Sequence, residues 1–149
     1  MSERPIMVIG GGPAGMEAVR GIADLGYKVV LIEKRDILGG TPEHSNYAAL
    51  TPDFRDAGEA MAEMASAVQG NENVDIRTNT VVTNAEGEAG QFKVTVQSDD
   101  KTEQLDIGAV IIATGFTHFD PGRETQQYGY YEYDDVLTLV DLEKMLKTG

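Results

Sequence analysis

The stretch from Ile6 to Glu33 restricts what this chain can fold into more than any other. It reads Ile6-Met7-Val8-Ile9, then Gly10-Gly11-Gly12-Pro13-Ala14-Gly15, then a helical run to Gly26, then Lys28-Val29-Val30-Leu31-Ile32-Glu33. Ile6 to Ile9 is a short apolar run, as in a parallel strand buried on both faces. Gly10 permits a tight turn out of that strand. Gly12 leaves its backbone open to close approach, and Gly15 lets the next helix lie close to the sheet. Gly15, Ala18, Ile22 and Leu25 repeat at helical spacing and predict a sheet-facing stripe. Gly26 stands where a C′ glycine would end the helix, and the second apolar strand ends on the acid Glu33.

The N-terminus of such a helix presents unpaired N–H groups and a partial positive charge, which suit phosphate. Glu33 lies 18 residues beyond Gly15. A carboxylate there can accept hydrogen bonds from both hydroxyls of an adenosine ribose, and it would repel a 2′-phosphate. A glycine hexapeptide alone is also compatible with an ordinary turn. With the strand before it, the amphipathic helix after it and the acid at this distance, the set matches the dinucleotide-binding fingerprint. The candidate cofactor-binding residues here are Gly10, Gly12, Pro13, Ala14, Gly15, Glu33 and Lys34. They predict an ADP-containing cofactor without choosing between FAD and NAD.

At 149 residues the chain is long enough for one domain with a core. Its apolar runs are too short to span a bilayer, so no membrane insertion is expected. Met1-Ser2-Glu3-Arg4-Pro5 leads straight into the first strand with no signal peptide, and a cytoplasmic location is expected. There is no cysteine. That removes disulfides, thiol-redox pairs, thiolate metal sites and cysteine-held iron–sulfur clusters from this chain. His44 and His118 are too isolated for a zinc site and read as surface or loop residues. The net charge is −13; residues 51–149 hold 7 basic and 19 acidic side chains, so nearly all the excess lies there. An acidic chain of this kind is not expected to bind nucleic acid. Its acidic half reads as a solvated surface rather than a docking face.

Beyond the fingerprint, the Gly39-Gly40 pair permits a loop that crosses near the phosphates, the alternative being a plain turn. Pro42 to Leu50 reads as loop, in which Asn46 and Tyr47 could reach a ligand. Thr51-Pro52 offers an N-cap hydroxyl and a proline at the first helical position. A helix from there to about Gln69 is predicted, with Ala57, Met61, Met64, Ala65 and Val68 on its apolar face and Gly70-Asn71 at its end. Met16, Met61 and Met64 are expected in the core. Val74–Arg77, Val81-Val82, Phe92–Val96 and Gln104–Ile107 read as strands, separated by turns at Gly87–Gly90 and Ser98–Lys101. The last three form an antiparallel meander. Ala109 to Gly115 returns to a buried strand, and Ala113-Thr114-Gly115 lies at the C-terminal end where open α/β sheets bind ligands. Val136 to Val140 reads as a short strand, with Asp141 capping a final helix. The tyrosines at 128, 130, 131 and 133 read as packing.

This succession resembles the FAD-binding domain of two-dinucleotide-binding flavoproteins, the glutathione-reductase-like class. Its parts are fingerprint, acid-tipped strand, Gly-Gly loop, helix, meander and Ala-Thr-Gly strand. The resemblance covers about residues 5–116. It implies an α/β fold: a Rossmann-like parallel sheet with flanking helices and an inserted antiparallel β-meander, an FAD/NAD(P)-binding domain. It also implies an adenine contact at Val82, with Val81 as the near miss. Val8–Ala18 and Gly115–Pro121 followed by Tyr128-Gly129-Tyr130 are similar to the A-type flavin subunit of heterodisulfide reductases. That likeness implies FAD as cofactor and iron–sulfur electron-transfer subunits or domains as partners. The cysteine stretch that this family carries after Gly-Gly is absent, as are a Gly-Asp motif near the C-terminus and a second nucleotide domain.

The chain is therefore expected to be a single domain over 1–149 and a fragment of a longer flavoprotein, with a nucleotide-binding core at 5–116 and a connecting segment at 117–149. It holds half a site and no catalytic residues, so the isolated chain is not expected to be catalytically complete. Two other readings stay open: an NAD(H)-binding module, and an interaction domain without redox activity.

Overall fold

The computed structural model describes residues 4–99, 101–123 and 128–149. Met1–Glu3, at the start read as leaderless, and Asp100, in the predicted turn, lie outside the described residues. A four-stranded parallel sheet organises the rest. It contains β1 (Ile6–Ile9), β2 (Val29–Ile32), β5 (Val74–Arg77) and β9 (Ala109–Ile112), in the order β5-β2-β1-β9. β3 (Ala49–Leu50) and β4 (Arg55–Asp56) form a small hairpin, and β6 (Thr80–Glu86), β7 (Phe92–Ser98) and β8 (Lys101–Ile107) form the antiparallel meander. The helices are α1 (Pro13–Asp24), α2 (Gly40–His44), α3 (Ala57–Gln69) and α4 (Leu139–Thr148).

Successive residues of a strand point to opposite faces, and here both faces are covered. Val8, Val29 and Leu31 pack under Met16 and Val19 of α1 and Met61 and Val68 of α3. Met7, Val30 and Ile32 pack against Val94 and Val96 of β7 and Ile107 of β8. The result is three layers: helices, parallel sheet, meander. Each fully buried Leu or Val of this kind contributes roughly 1.5–3 kcal/mol by leaving water. β9 lies at an edge of the sheet, and its Ile112 stays 75% exposed.

Several expectations need correction. The buried stripe of α1 is Gly15, Met16, Val19 and Ala23; Ala18 and Ile22 pack half-buried beside it as expected, whereas Leu25 is 76% exposed. Leu25 is already the C-cap, past the last residue that faces the sheet, and Gly26 follows at φ +82°. Thr51-Pro52 does not start a helix. It lies in the turn between β3 and β4, and α3 begins only at Ala57, where the Asp56 carboxylate accepts the Glu59 N–H at 2.9 Å. Pro42 to Leu50 is not all loop, since it includes most of α2 and the strand β3. Val136 to Val140 is not a strand. Thr138 is the N-cap of α4, and Asp141 closes a capping box with it instead of starting the helix.

Candidate functional site at the tips of β1, β2 and β9

Three parallel strands end side by side, with Glu33 just past β2, Gly10 just past β1 and Ala113 just past β9. Gly10 has φ +111°, and a Cβ on it would overlap the Ala113 carbonyl oxygen. A Cβ on Gly15 would overlap the Gly10 carbonyl oxygen. These two glycines let strand, turn and helix close on one another. Gly12 differs: a Cβ there would meet only the Gly40 Cα, at an ordinary 3.6 Å. Its backbone is extended (φ −79°, ψ −177°), a conformation any residue adopts. Neither strain nor packing within the described structure therefore requires a glycine at 12.

Gly12 is also the N-cap of α1, and no side chain caps that end. Pro13 is at the first helical position, where its missing N–H costs nothing. Ala14 is exposed, and the first turn carries no acidic residue. An open helix end of this kind can take an anion on its backbone N–H groups.

The Gly39-Gly40 pair sits directly on this turn. The Gly39 N–H donates to the Gly11 carbonyl at 2.8 Å, and a Cβ on Gly40 would lie 2.6 Å from the Gly12 Cα. Both glycines have positive φ, +121° and +61°. Leu38, just before them, is buried against Gly11.

Glu33 is 4% exposed and held from four directions. Its N–H donates to Arg77 O at 2.9 Å, and its carbonyl accepts the Thr80 N–H at 3.0 Å. Its carboxylate accepts the Gly11 N–H at 2.6 Å on Oε2 and the Arg35 N–H at 2.8 Å on Oε1. Each oxygen keeps a further lone pair. Lys34 beside it is exposed.

Beyond β1 on the other side, the Ala113 N–H donates to Ile9 O at 2.8 Å, and Thr114 and Gly115 are exposed. Gly115 has φ +73°. Val82 lies apart from this cluster. It is half-buried in β6 and packs against the meander-side core, while Val81 is 44% exposed. Two surface clefts of about 240 and 370 Å³ lie along α3, and neither is lined by Gly10, Gly12 or Gly15.

One pairing had no signal in the sequence. Tyr47 Oη and His118 Nε2 lie 3.2 Å apart, 71 positions distant in the chain. Phe116 packs edge-on against the same imidazole, with ring centroids 5.2 Å apart. Burial, then the nearby Glu143 carboxylate, pushes the Tyr47 hydroxyl above its ordinary pKa, so it stays protonated.

Residues 4–146 match the family profile described as pyridine nucleotide-disulphide oxidoreductase. The chain belongs to that family. It is 24% identical over 225 residues to an A-type iron-sulfur subunit of the CoB–CoM heterodisulfide reductase of Methanopyrus kandleri, covering 97% of this chain and 33% of the relative. The aligned span exceeds the 149 residues present, so the relative carries residues within it that this chain lacks. The chain spans about a third of the length of that curated relative.

Among solved structures, L-proline dehydrogenase from P. horikoshii is 28% identical with a TM-score of 0.67, over 75% of this chain and 22% of that one. Lactococcus lactis thioredoxin reductase is 27% identical with a TM-score of 0.63, over 78% and 37%. The chain thus carries the FAD/NAD-type nucleotide-binding fold of this family, the fold that the sequence predicts. Among the described residues no helix is long and apolar enough to cross a membrane.

Proposed function

We propose that this chain is the FAD-binding part of an electron-transferring oxidoreductase of heterodisulfide reductase type. The observation that carries the reading is the difference between the glycines. Gly10 and Gly15 are required by the fold, while Gly12, at the uncapped helix end, leaves space that the fold itself does not use. A diphosphate approaching the backbone from outside accounts for that space.

In this reading Gly10, Gly12, Pro13, Ala14, Gly15, Gly39 and Gly40 surround the diphosphate. The spare lone pairs of Glu33 accept the ribose hydroxyls. Lys34 lies beside the adenosine, and Ala113, Thr114 and Gly115 border the gap on the β9 side. Val82 meets adenine through its backbone, because its side chain is turned to the core. When bound, the flavin supplies the redox chemistry, and the residues of this chain bind and orient it.

The iron–sulfur carriers belong to partner subunits or to other domains of a longer protein, since a chain without cysteine cannot ligate them by thiolate. Residues 5–116 are the nucleotide-binding core and 117–149 a connecting segment, and the location is cytoplasmic. The test is a titration of the purified chain with FAD, ADP and NADH. Quenched flavin fluorescence with FAD and competition by ADP support the reading. NADH binding with FAD ignored overturns it in favour of an NAD(H) module.

A further inference from the structure

The order of the strand tips gives the site a direction. Glu33 ends β2, the glycine turn ends β1, and Ala113 to Gly115 end β9 on the far side of β1 from β2. A dinucleotide with its adenosine ribose on Glu33 and its diphosphate at Gly12 therefore sends its other half over the end of β9. Two segments border that side. One is α2 and its continuation: Gly40 lies against Gly12 of the turn, and the Tyr47 N–H donates to Pro42 O at 3.0 Å, folding the continuation back onto α2. The other is the exit of β9, residues 113–118. The hydrogen bond between Tyr47 and His118 joins them.

We propose that the Tyr47–His118 pair is a clasp that positions the ring-bearing half of the dinucleotide and distinguishes a whole dinucleotide from its ADP half. The proposal rests on the reading that an adenine dinucleotide binds here. Three features support it. The two side chains come from the segments that follow Gly40 and β9, so their bond holds those two segments together. His118 is half-buried and wedged by Phe116, whose own ring is 69% exposed beside it and available for stacking. Glu143 of α4 accepts the Ala48 N–H at 2.8 Å and so anchors the loop that carries Tyr47. Tyr47 and His118 are positioning residues in this account; neither is assigned a bond-making step.

Calorimetric titration with ADP and with FAD separates the possibilities. Tyr47→Phe removes the hydroxyl, His118→Ala removes its partner, and His118→Gln keeps an acceptor for it. Losing one such hydrogen bond corresponds to about a tenfold change in affinity. FAD affinity is expected to fall by about that factor in Tyr47→Phe and His118→Ala and to be largely restored in His118→Gln, with ADP affinity unchanged in all three. ADP binding also reports that each variant has folded. Equal losses for ADP and FAD, or FAD affinity unchanged in Tyr47→Phe and His118→Ala, overturn the clasp alone. An unaltered chain that binds neither nucleotide overturns the dinucleotide reading and the clasp with it.

Discussion

The Gly11 N–H donates to Glu33 Oε2 at 2.6 Å, so the acid at the tip of β2 holds the glycine turn at the tip of β1. The side chain proposed for the ribose thus also shapes the turn proposed for the phosphates. Its other oxygen holds the Arg35 N–H. The carboxylate is buried but not unsatisfied, and two backbone donors offset its desolvation.

Glu33→Gln separates these two roles. An amide offers one acceptor oxygen, so either the Gly11 or the Arg35 N–H faces an NH₂ group. Leaving a buried donor unpaired costs about 1–3 kcal/mol. Urea denaturation without nucleotide should show a loss of that size. An unchanged midpoint would mean that Glu33 serves only a ligand.

Gly15→Ala and Gly21→Ala test the packing of α1 as a matched pair. The added methyl overlaps the Gly10 carbonyl at position 15 and meets nothing within 4 Å at position 21. Forcing α1 off the turn should destabilise the first variant by about 1–3 kcal/mol. Replacing a helix-interior glycine by alanine should stabilise the second by about 0.5–1 kcal/mol. Thermal melts of the two variants should therefore move in opposite directions.

Acid should release α4 through its cap. The Asp141 carboxylate accepts the Thr138 hydroxyl at 2.6 Å, the Tyr130 hydroxyl at 2.6 Å and the Thr138 N–H at 3.0 Å. These bonds, the Thr138 hydroxyl foremost, hold its pKa down to about 2. The unfolded value is about 3.9. A depressed folded pKa gives stabilisation that is complete above the unfolded value. It is lost as pH falls through about 2. Helicity of the C-terminal segment, followed by NMR of the α4 amides, should fall across that window. Asp141→Asn should lack this step, and salt should shrink it because the group is close to solvent.

The parallel strands, α1 and the meander were legible because each is written in a local period. β1 and β2 are apolar runs, α1 repeats at helical spacing, and β7 alternates. The fingerprint tied Gly10, Gly15 and Glu33 together by spacing alone. Boundaries with two competing cues misled. Thr51-Pro52 has the chemistry of a helix start, but Asp56 with Glu59 three residues on is a second start, and β3–β4 pairing takes the first into a turn. Thr138 and Asp141 compete in the same way as caps of α4, and the capping box uses both. The bond between Tyr47 and His118 left no trace: His118 stands within the Gly115–Pro121 motif and Tyr47 in the segment after Gly39-Gly40, but nothing local pairs them and only the fold brings them together.

Gly12→Ala bears most directly on the central claim that the gap after β1 receives the diphosphate of an adenine dinucleotide. The backbone at 12 accepts alanine, and the new methyl meets only the Gly40 Cα at 3.6 Å, so the variant should fold and melt like the unaltered chain. Calorimetry with ADP should then show at least a roughly tenfold loss of affinity, the equivalent of about 1.4 kcal/mol. Full ADP affinity in a correctly folded Gly12→Ala variant would contradict the account.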